Sequence, residues 1–267
     1  ELWNDYVLEE VAAGMVEPMD RLALAASCLD TFTAAQMAYL AETVGRCCPD
    51  FLPPVQSSVS VERLVAEFID YGTCFGVINP AVQPSALVKS EPAYAFRPIV
   101  RAALQHRIAQ RFAHAQREAN RAAAQLCLEE GRYQQAAAYA YRARDFDTIR
   151  DIIVSQWRQA IHQDKMLPIV AWYELLPETY IERYPRLCLY QMPVLYMAGR
   201  FAQAHQRYRQ AMALCKEGDD EFRALGAALR TLCLAVEGRA AESCEEARRT
   251  LRLTEGDKSL THFRCMM

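Results

Sequence analysis

No stretch of about 18 consecutive apolar residues and no signal-peptide pattern occurs in the 267-residue sequence. A membrane-spanning helix is therefore not expected, and the expected home is the cytoplasm. Glycine is scarce, at ten residues, and no two glycines stand five apart. None of the four lysines follows a glycine, so the chain lacks the phosphate-cradling loop of P-loop proteins. The ten cysteines form no C-x-x-C pair, which removes the usual signature of tetrahedral zinc and leaves free, largely buried thiols as the expectation. The five histidines, at 106, 114, 162, 205 and 262, form no H-E-x-x-H motif, and no G-x-S-x-G elbow is present. Paired acids such as Glu9-Glu10, Glu129-Glu130 and Glu245-Glu246 fall near helix ends or on solvated faces. The expectation is a protein that is not an enzyme and holds no metal. A net charge of -3, with arginines interleaved among acids, lacks the one-sided basic footprint of a nucleic-acid binder.

What is present is the composition of a folded globular chain, 52% hydrophobic and 24% charged, long enough for one large or two ordinary domains. Residue 1 is Glu and the opening segment is already helix-patterned, so the sequence reads as a piece of a longer protein. Residues 1-110 suggest short helices around a hairpin. Thr33 with Gln36 makes a capping box, and Gly45 is expected to close that helix. Ser60 is placed to cap a helix carrying Val61, Leu64, Val65, Phe68 and Ile69, which Gly72 stops. The stretch from Cys74 to Pro98 then carries four prolines, three of them between the apolar runs Phe75 to Ile78 and Tyr94 to Phe96, a pattern that excludes a central strand but permits a two-stranded wing. Pro98 suits the first turn of a following helix. This order describes a winged-helix-like module with a small β hairpin.

Residues 111-267 read as helix throughout, punctuated by glycine. Gly131-Arg132-Tyr133 returns as Gly199-Arg200-Phe201, 68 residues later or twice 34, and Gly238-Arg239 follows after a further 39. Asp164 takes the glycine place midway, with Met166 and Ile169 at the places of Tyr133 and Ala136. A period near 34 predicts an α-superhelix of stacked helical hairpins of the tetratricopeptide (TPR) kind. Glycine supplies the left-handed turn between the helices of a hairpin. Ala136, Ala140 and Ala143, then Ala204, Tyr208 and Ala211, follow at helical spacing, and small residues there let the second helix approach the first. The third unit keeps only Ser243 and Ala247. Pro193 falls in the middle of the helix expected over 186–198, either as a tolerated bend or as a device that shapes a pocket. The fold class is thus mainly α, a winged-helix-like module followed by TPR-like repeats.

The segments "AYAFRPIVRAALQHRIAQRF", "LEEGRYQQAAAYAYRARDFDTIRDII" and "VAWYELLPETYIERYPRLCLYQMPVLYMAGRFAQA" together resemble the maltose-activator-like (MalT-like) branch of LuxR-type transcriptional regulators. The likeness rests on Phe96-Arg97-Pro98, "GRYQQAAAYA" with Ala143 and Asp145-Phe146, Trp172, the Leu175 to Glu178 turn, Pro185-Arg186-Leu187 and Gly199-Arg200-Phe201, in that order. It implies a STAND nucleotide-binding module ahead of a winged-helix linker, a superhelical sensor of TPR-like repeats and a C-terminal helix-turn-helix. The ATP site and the DNA-binding helix-turn-helix would belong to parts outside this sequence. Pro193 departs from the family pattern.

Stacked hairpins line a concave face with their first helices. Counted back three, six and ten residues from each turn, the inward positions are Leu128, Gln125 and Arg121, then Ile161, Arg158 and Val154, then Tyr196, Pro193 and Leu189. The candidate ligand-binding set is Arg121, Gln125, Arg158, His162 and Tyr196, which would meet a small-molecule inducer or a peptide of a protein partner. The alternative is an ordinary solvated groove. Trp157 and Trp172 resemble sugar-stacking platforms in type, but they fall where hairpins pack and are read as core.

Overall fold

A computed structural model describes residues 17–53, 63, 65–67, 69, 75–78, 92–163, 165–216 and 218–253; the side chains of 75–78, 158, 161, 162 and 253 lie outside that description. The chain is mainly helical and divides by its internal contacts at Asp145–Phe146 into two compact units.

In the first unit, helix α1 (Met19–Ala26) and helix α2 (Ala34–Cys47) precede an antiparallel pair, β1 (Phe75–Ile78) with β2 (Ala93–Phe96), then α3 (Pro98–Arg111), α4 (Ala113–Glu129) and α5 (Tyr133–Ala143). The Thr33 hydroxyl accepts the Gln36 N–H at 3.3 Å while the Gln36 side chain accepts the Thr33 N–H at 3.1 Å, so the capping box forms as the spacing requires. Gly45 does not end this helix. It is buried within α2, and the Cys48 N–H reaches the Val44 carbonyl, carrying the helix to Cys47 before the chain leaves the helical conformation. Of the next expected helix, Arg63, Val65, Ala66, Glu67 and Ile69 are helical, while Ser60 and Gly72 lie outside the described residues.

The strand pair runs Phe75 opposite Phe96 to Ile78 opposite Ala93. Phe32 extends it by exchanging both backbone hydrogen bonds with Tyr94, at 2.9 and 2.8 Å, and its ring packs on Tyr94 and Phe96. Pro98 opens α3 at its first turn, where the missing N–H costs nothing. Leu22, Phe32, Met37, Leu40, Val44 and Leu104 form the core. Polar side chains fix how α3 sits on it. Arg101 and Gln105 both donate to the Ser27 carbonyl, and Arg101 also pairs with Asp30 at 2.5 Å. The hairpin of α4 and α5 packs within this unit, with α4 against α1, α2 and α3. Asp30 donates its backbone N–H to the Tyr139 hydroxyl of α5.

The second unit contains α6 (Phe146–His162), α7 (Leu167–Glu174), the short α8 (Glu178–Ile181), α9 (Pro185–Met197), α10 (Phe201–Ala213), α11 (Asp220–Val236) and α12 (Ala240–Leu253). Helix α9 is its centre, touching α6, α7, α8, α10 and α11. The helix continues through Pro193.

The glycine turns are one geometry used repeatedly. Gly131, Gly199 and Gly238 have φ of 71°, 70° and 74°, in the left-handed region that glycine occupies at no steric cost. In each, the N–H of the following arginine reaches back five residues: Arg132 to the Cys127 carbonyl, Arg200 to Leu195 and Arg239 to Leu234. These are the closing bonds of a Schellman cap. Lys165 donates in the same way to Ala160 across the turn where Asp164 stands, a residue outside the described set. Five residues after the turn position, Ala136, Ile169, Ala204 and Ser243 are all buried, which fixes the register of the second helices. Ser243 also donates its hydroxyl to the Thr231 carbonyl, tying α12 to α11.

Candidate functional site

The residues singled out from the sequence fall in both units. Arg121 and Gln125 are exposed on α4, and each is engaged locally. Arg121 pairs with Glu118 at 2.6 Å and Asp145 at 3.4 Å; Gln125 donates to Glu129. Arg158 and His162 stand on α6, but their side chains lie outside the described residues. Tyr196 on α9 is buried rather than presented to solvent. Its hydroxyl donates to the Glu237 carboxylate, whose Oε1 also lies 2.6 Å from the His205 Nε2, and the Tyr196 hydroxyl is 3.1 Å from that same nitrogen. Among the described members of the set, then, each side chain has its own partners and none of these is shared. Trp157 and Trp172 are core, as their positions imply. Trp157 stacks on Tyr190 at 4.7 Å, and the indole N–H of Trp172 finds no acceptor among the described residues.

The Tyr196 cluster favours a charged carboxylate beside a neutral phenol. The Tyr196 hydrogen bond, helped by Arg239 and His205, holds Glu237 down at about 2, while burial and the Glu237 bond push the Tyr196 hydroxyl above its usual range. Burial likewise pushes the neighbouring Cys233 thiol up to about 12, so this thiol stays protonated and unreactive. The eight cysteines among the described residues are all free, and Cys47 and Cys244 are the exposed ones.

A cleft of about 410 Å³ opens elsewhere in the second unit, within the range of small-molecule sites. It is assembled from helix ends. The first half of α6 contributes Arg150, Asp151 and Val154, and the start of α9 contributes Pro185, Arg186 and Leu187 after Tyr184. Leu214 to Lys216 follow α10, and Asp219 with Phe222 opens α11. Val154 is the member that the inward positions of the sequence include.

The charges of this cleft are unevenly committed. Arg150 pairs with Asp147 at 2.5 Å and Asp151 at 2.8 Å and lies 4.9 Å over the Tyr184 ring. Asp147 in turn accepts the Tyr180 hydroxyl at 2.6 Å, which with Arg150 lowers its carboxyl below the ordinary carboxylate range. Asp219 caps α11 by accepting the Phe222 N–H at 3.0 Å. Among the described residues Arg186 pairs with Glu221 alone, at 3.8 Å with both side chains about half exposed, a pair worth little in water. Lys216 is exposed and makes no ion pair among the described residues. Helix α9 begins without a side-chain cap.

Apart from Val154, these cleft residues escape an inward-face count, because most of them sit at or just beyond helix ends. Their sequence signals are the Tyr184-Pro185-Arg186 start and the Asp219 cap. Among the described residues no group of His, Cys, Asp and Glu has the geometry to hold a metal ion, and no helix is long and apolar enough to cross a membrane. Comparison with protein-family models, with curated proteins and with solved structures gives no match.

Proposed function

We propose that this chain is the sensor and coupling segment of a signal-responsive transcriptional regulator of the MalT-like LuxR type. In this reading, residues 1-110 are a winged-helix-like coupling module and residues 111-267 are TPR-like repeats that receive an inducer or a protein partner. The observation that supports it best is the recurrence of one Schellman turn at Gly131, Gly199 and Gly238, with a buried small residue five positions on. A chain built from such units offers binding surface on a scaffold. ATP would serve a module outside this sequence, since the positive-φ glycines here are single turn residues, three of them followed by arginine and none by lysine. DNA would likewise be contacted only by a helix-turn-helix outside it, and the protein would act in the cytoplasm. Inducer binding would shift a closed–open equilibrium in proportion to its preference for one state.

Thermal denaturation of the chain against a metabolite set tests this. A ligand at 100 times its Kd stabilises the folded state by about 2.7 kcal/mol, a readily seen rise in midpoint. A set without any stabilising member, or ATP turnover by this chain above a blank, removes the reading. A second reading, a TPR-type protein-interaction scaffold, is favoured by Leu232 and Val236, one turn apart on α11 and respectively 39% and 70% exposed. A peptide partner that binds and is lost on Val236→Asp would support it.

A further inference from the structure

We propose that the cleft between α6, α9 and the start of α11 binds an organic anion, a carboxylate or phosphate monoester with an apolar or aromatic body, through Arg186 and Lys216. This rests on the sensor reading and names the chemical class of its ligand.

The inference follows from how the cleft's polar groups are spent. Its two carboxylates already serve the protein: Asp151 holds Arg150, and Asp219 caps α11. Arg150 is doubly paired and covered by the Tyr184 ring. What remains for a guest is positive. Arg186 has one distant, half-exposed partner, and Lys216 has no ion pair among the described residues. A guanidinium offers two parallel donors to a carboxylate or phosphate, and an ammonium adds a point charge beside it. Two cations on separate elements, one opening α9 and one following α10, can therefore hold one anionic group between them.

The rest of the wall specifies what the anion is attached to. Of its apolar residues Leu187 and Phe222 are buried beneath the cleft, Val154 is half-buried, and Leu214 is 48% exposed although it is a large aliphatic side chain. Exposed apolar surface beside a cavity gains free energy when a ligand's own apolar surface covers it. A bare inorganic anion would leave that surface wet, and a neutral apolar molecule would leave the two cations unused. Only a molecule with both parts uses the whole cleft.

The test titrates the whole chain with phenyl phosphate and with benzoate, followed by amide NMR shifts at Leu187, Leu214 and Phe222. Benzyl alcohol and inorganic phosphate serve as the neutral and the bare-anion arms. Saturable shifts with both aromatic anions, at concentrations where benzyl alcohol and inorganic phosphate give none, are expected. Arg186→Gln with Lys216→Gln should weaken phenyl phosphate about tenfold or more, the equivalent of losing a charge-assisted hydrogen bond. Both side chains are outside the core, so the variant keeps its fold, checked by its unchanged shifts elsewhere. Arg248→Gln, at an exposed position of α12, makes the same kind of charge change away from the cleft and should leave binding unaltered. Absence of saturable shifts, equal binding of benzyl alcohol or inorganic phosphate, or equal weakening by Arg248→Gln each overturns the proposal. The sensor reading fails separately: it falls if no metabolite stabilises the chain, even where phenyl phosphate binds, and it survives benzyl alcohol binding as well as the anions.

Discussion

Glu237 shows how much a single side chain can organise at the end of a helix. It stands at the last turn of α11, where the helix dipole disfavours a carboxylate, yet three donors converge on it: Tyr196 from α9, His205 from α10 and Arg239 from the turn beyond. These hold its carboxyl at about 2, against an ordinary 4.5. A carboxyl whose folded value is depressed contributes stability that is complete above its unfolded value and is lost as the pH falls through the folded one. The Glu237 contribution should therefore be intact above pH about 4.5 and fade toward pH about 2. Urea denaturation between pH 6 and pH 3 checks this. Glu237→Gln should be less stable than the wild type at pH 6, and the gap should narrow as the pH falls; a gap that does not change with pH places the stabilisation elsewhere.

At the scale of the element, the helical hairpin is set by its turn. A β-carbon added at Gly199 would meet nothing within 4 Å, so the cost of Gly199→Ala comes from the backbone alone. An L-residue held at φ near 70° loses about 1 to 2 kcal/mol relative to glycine. The substitution should lower stability by that amount, measured by chemical denaturation, and a D-alanine introduced by semisynthesis should restore it. Gly226 plays a different part. Inside α11 its missing side chain makes room for Met212 and Tyr208 of α10, since a β-carbon there would lie 2.7 Å from the Met212 Cε. Arg207 ties α10 to its neighbours on the N-terminal side of the chain: it is buried, bonds Gln191 of α9 at 2.7 Å and pairs with Glu178 of α8 and with Glu182. The turn sets where a hairpin folds back, and these contacts set how closely its helices lie.

At the scale of the whole molecule, the division at Asp145–Phe146 predicts that each unit loses stability separately. Ala204, fully buried where α10 meets α9, tests that. Ala204→Leu should overpack the contact and cost about 1 to 3 kcal/mol. Hydrogen exchange should then quicken in α9, α10 and α11 while the amides of α2 and α4 keep their wild-type protection. Equal quickening in both units would mean that they unfold as one, and a neutral substitution would mean that the register drawn from the glycine spacing is wrong.

What the sequence determined by itself is local. The capping box at Thr33, the two strands either side of the proline-rich stretch, Pro98 at the head of α3 and the glycine turns with Ala136, Ala204 and Ser243 behind them all depend on neighbours a few residues away. Backbone sterics and helical periodicity act over that range, so these features are legible in one dimension. Gly45 marks the limit, because burial of that glycine in the core and the bond from Cys48 carry the helix past the residue that composition marks as its end. The candidate site was less legible. Counting inward faces assumes that a ligand meets the middle of helices, and it leads to Tyr196, which the fold buries against Glu237 and His205. The cleft arises instead where the start of α6, the start of α9, the end of α10 and the start of α11 come together. Tertiary packing alone decides that meeting. It also decides which charges are consumed by caps and ion pairs, as Arg150 and Asp219 are, and which, like Arg186 and Lys216, remain to meet a guest.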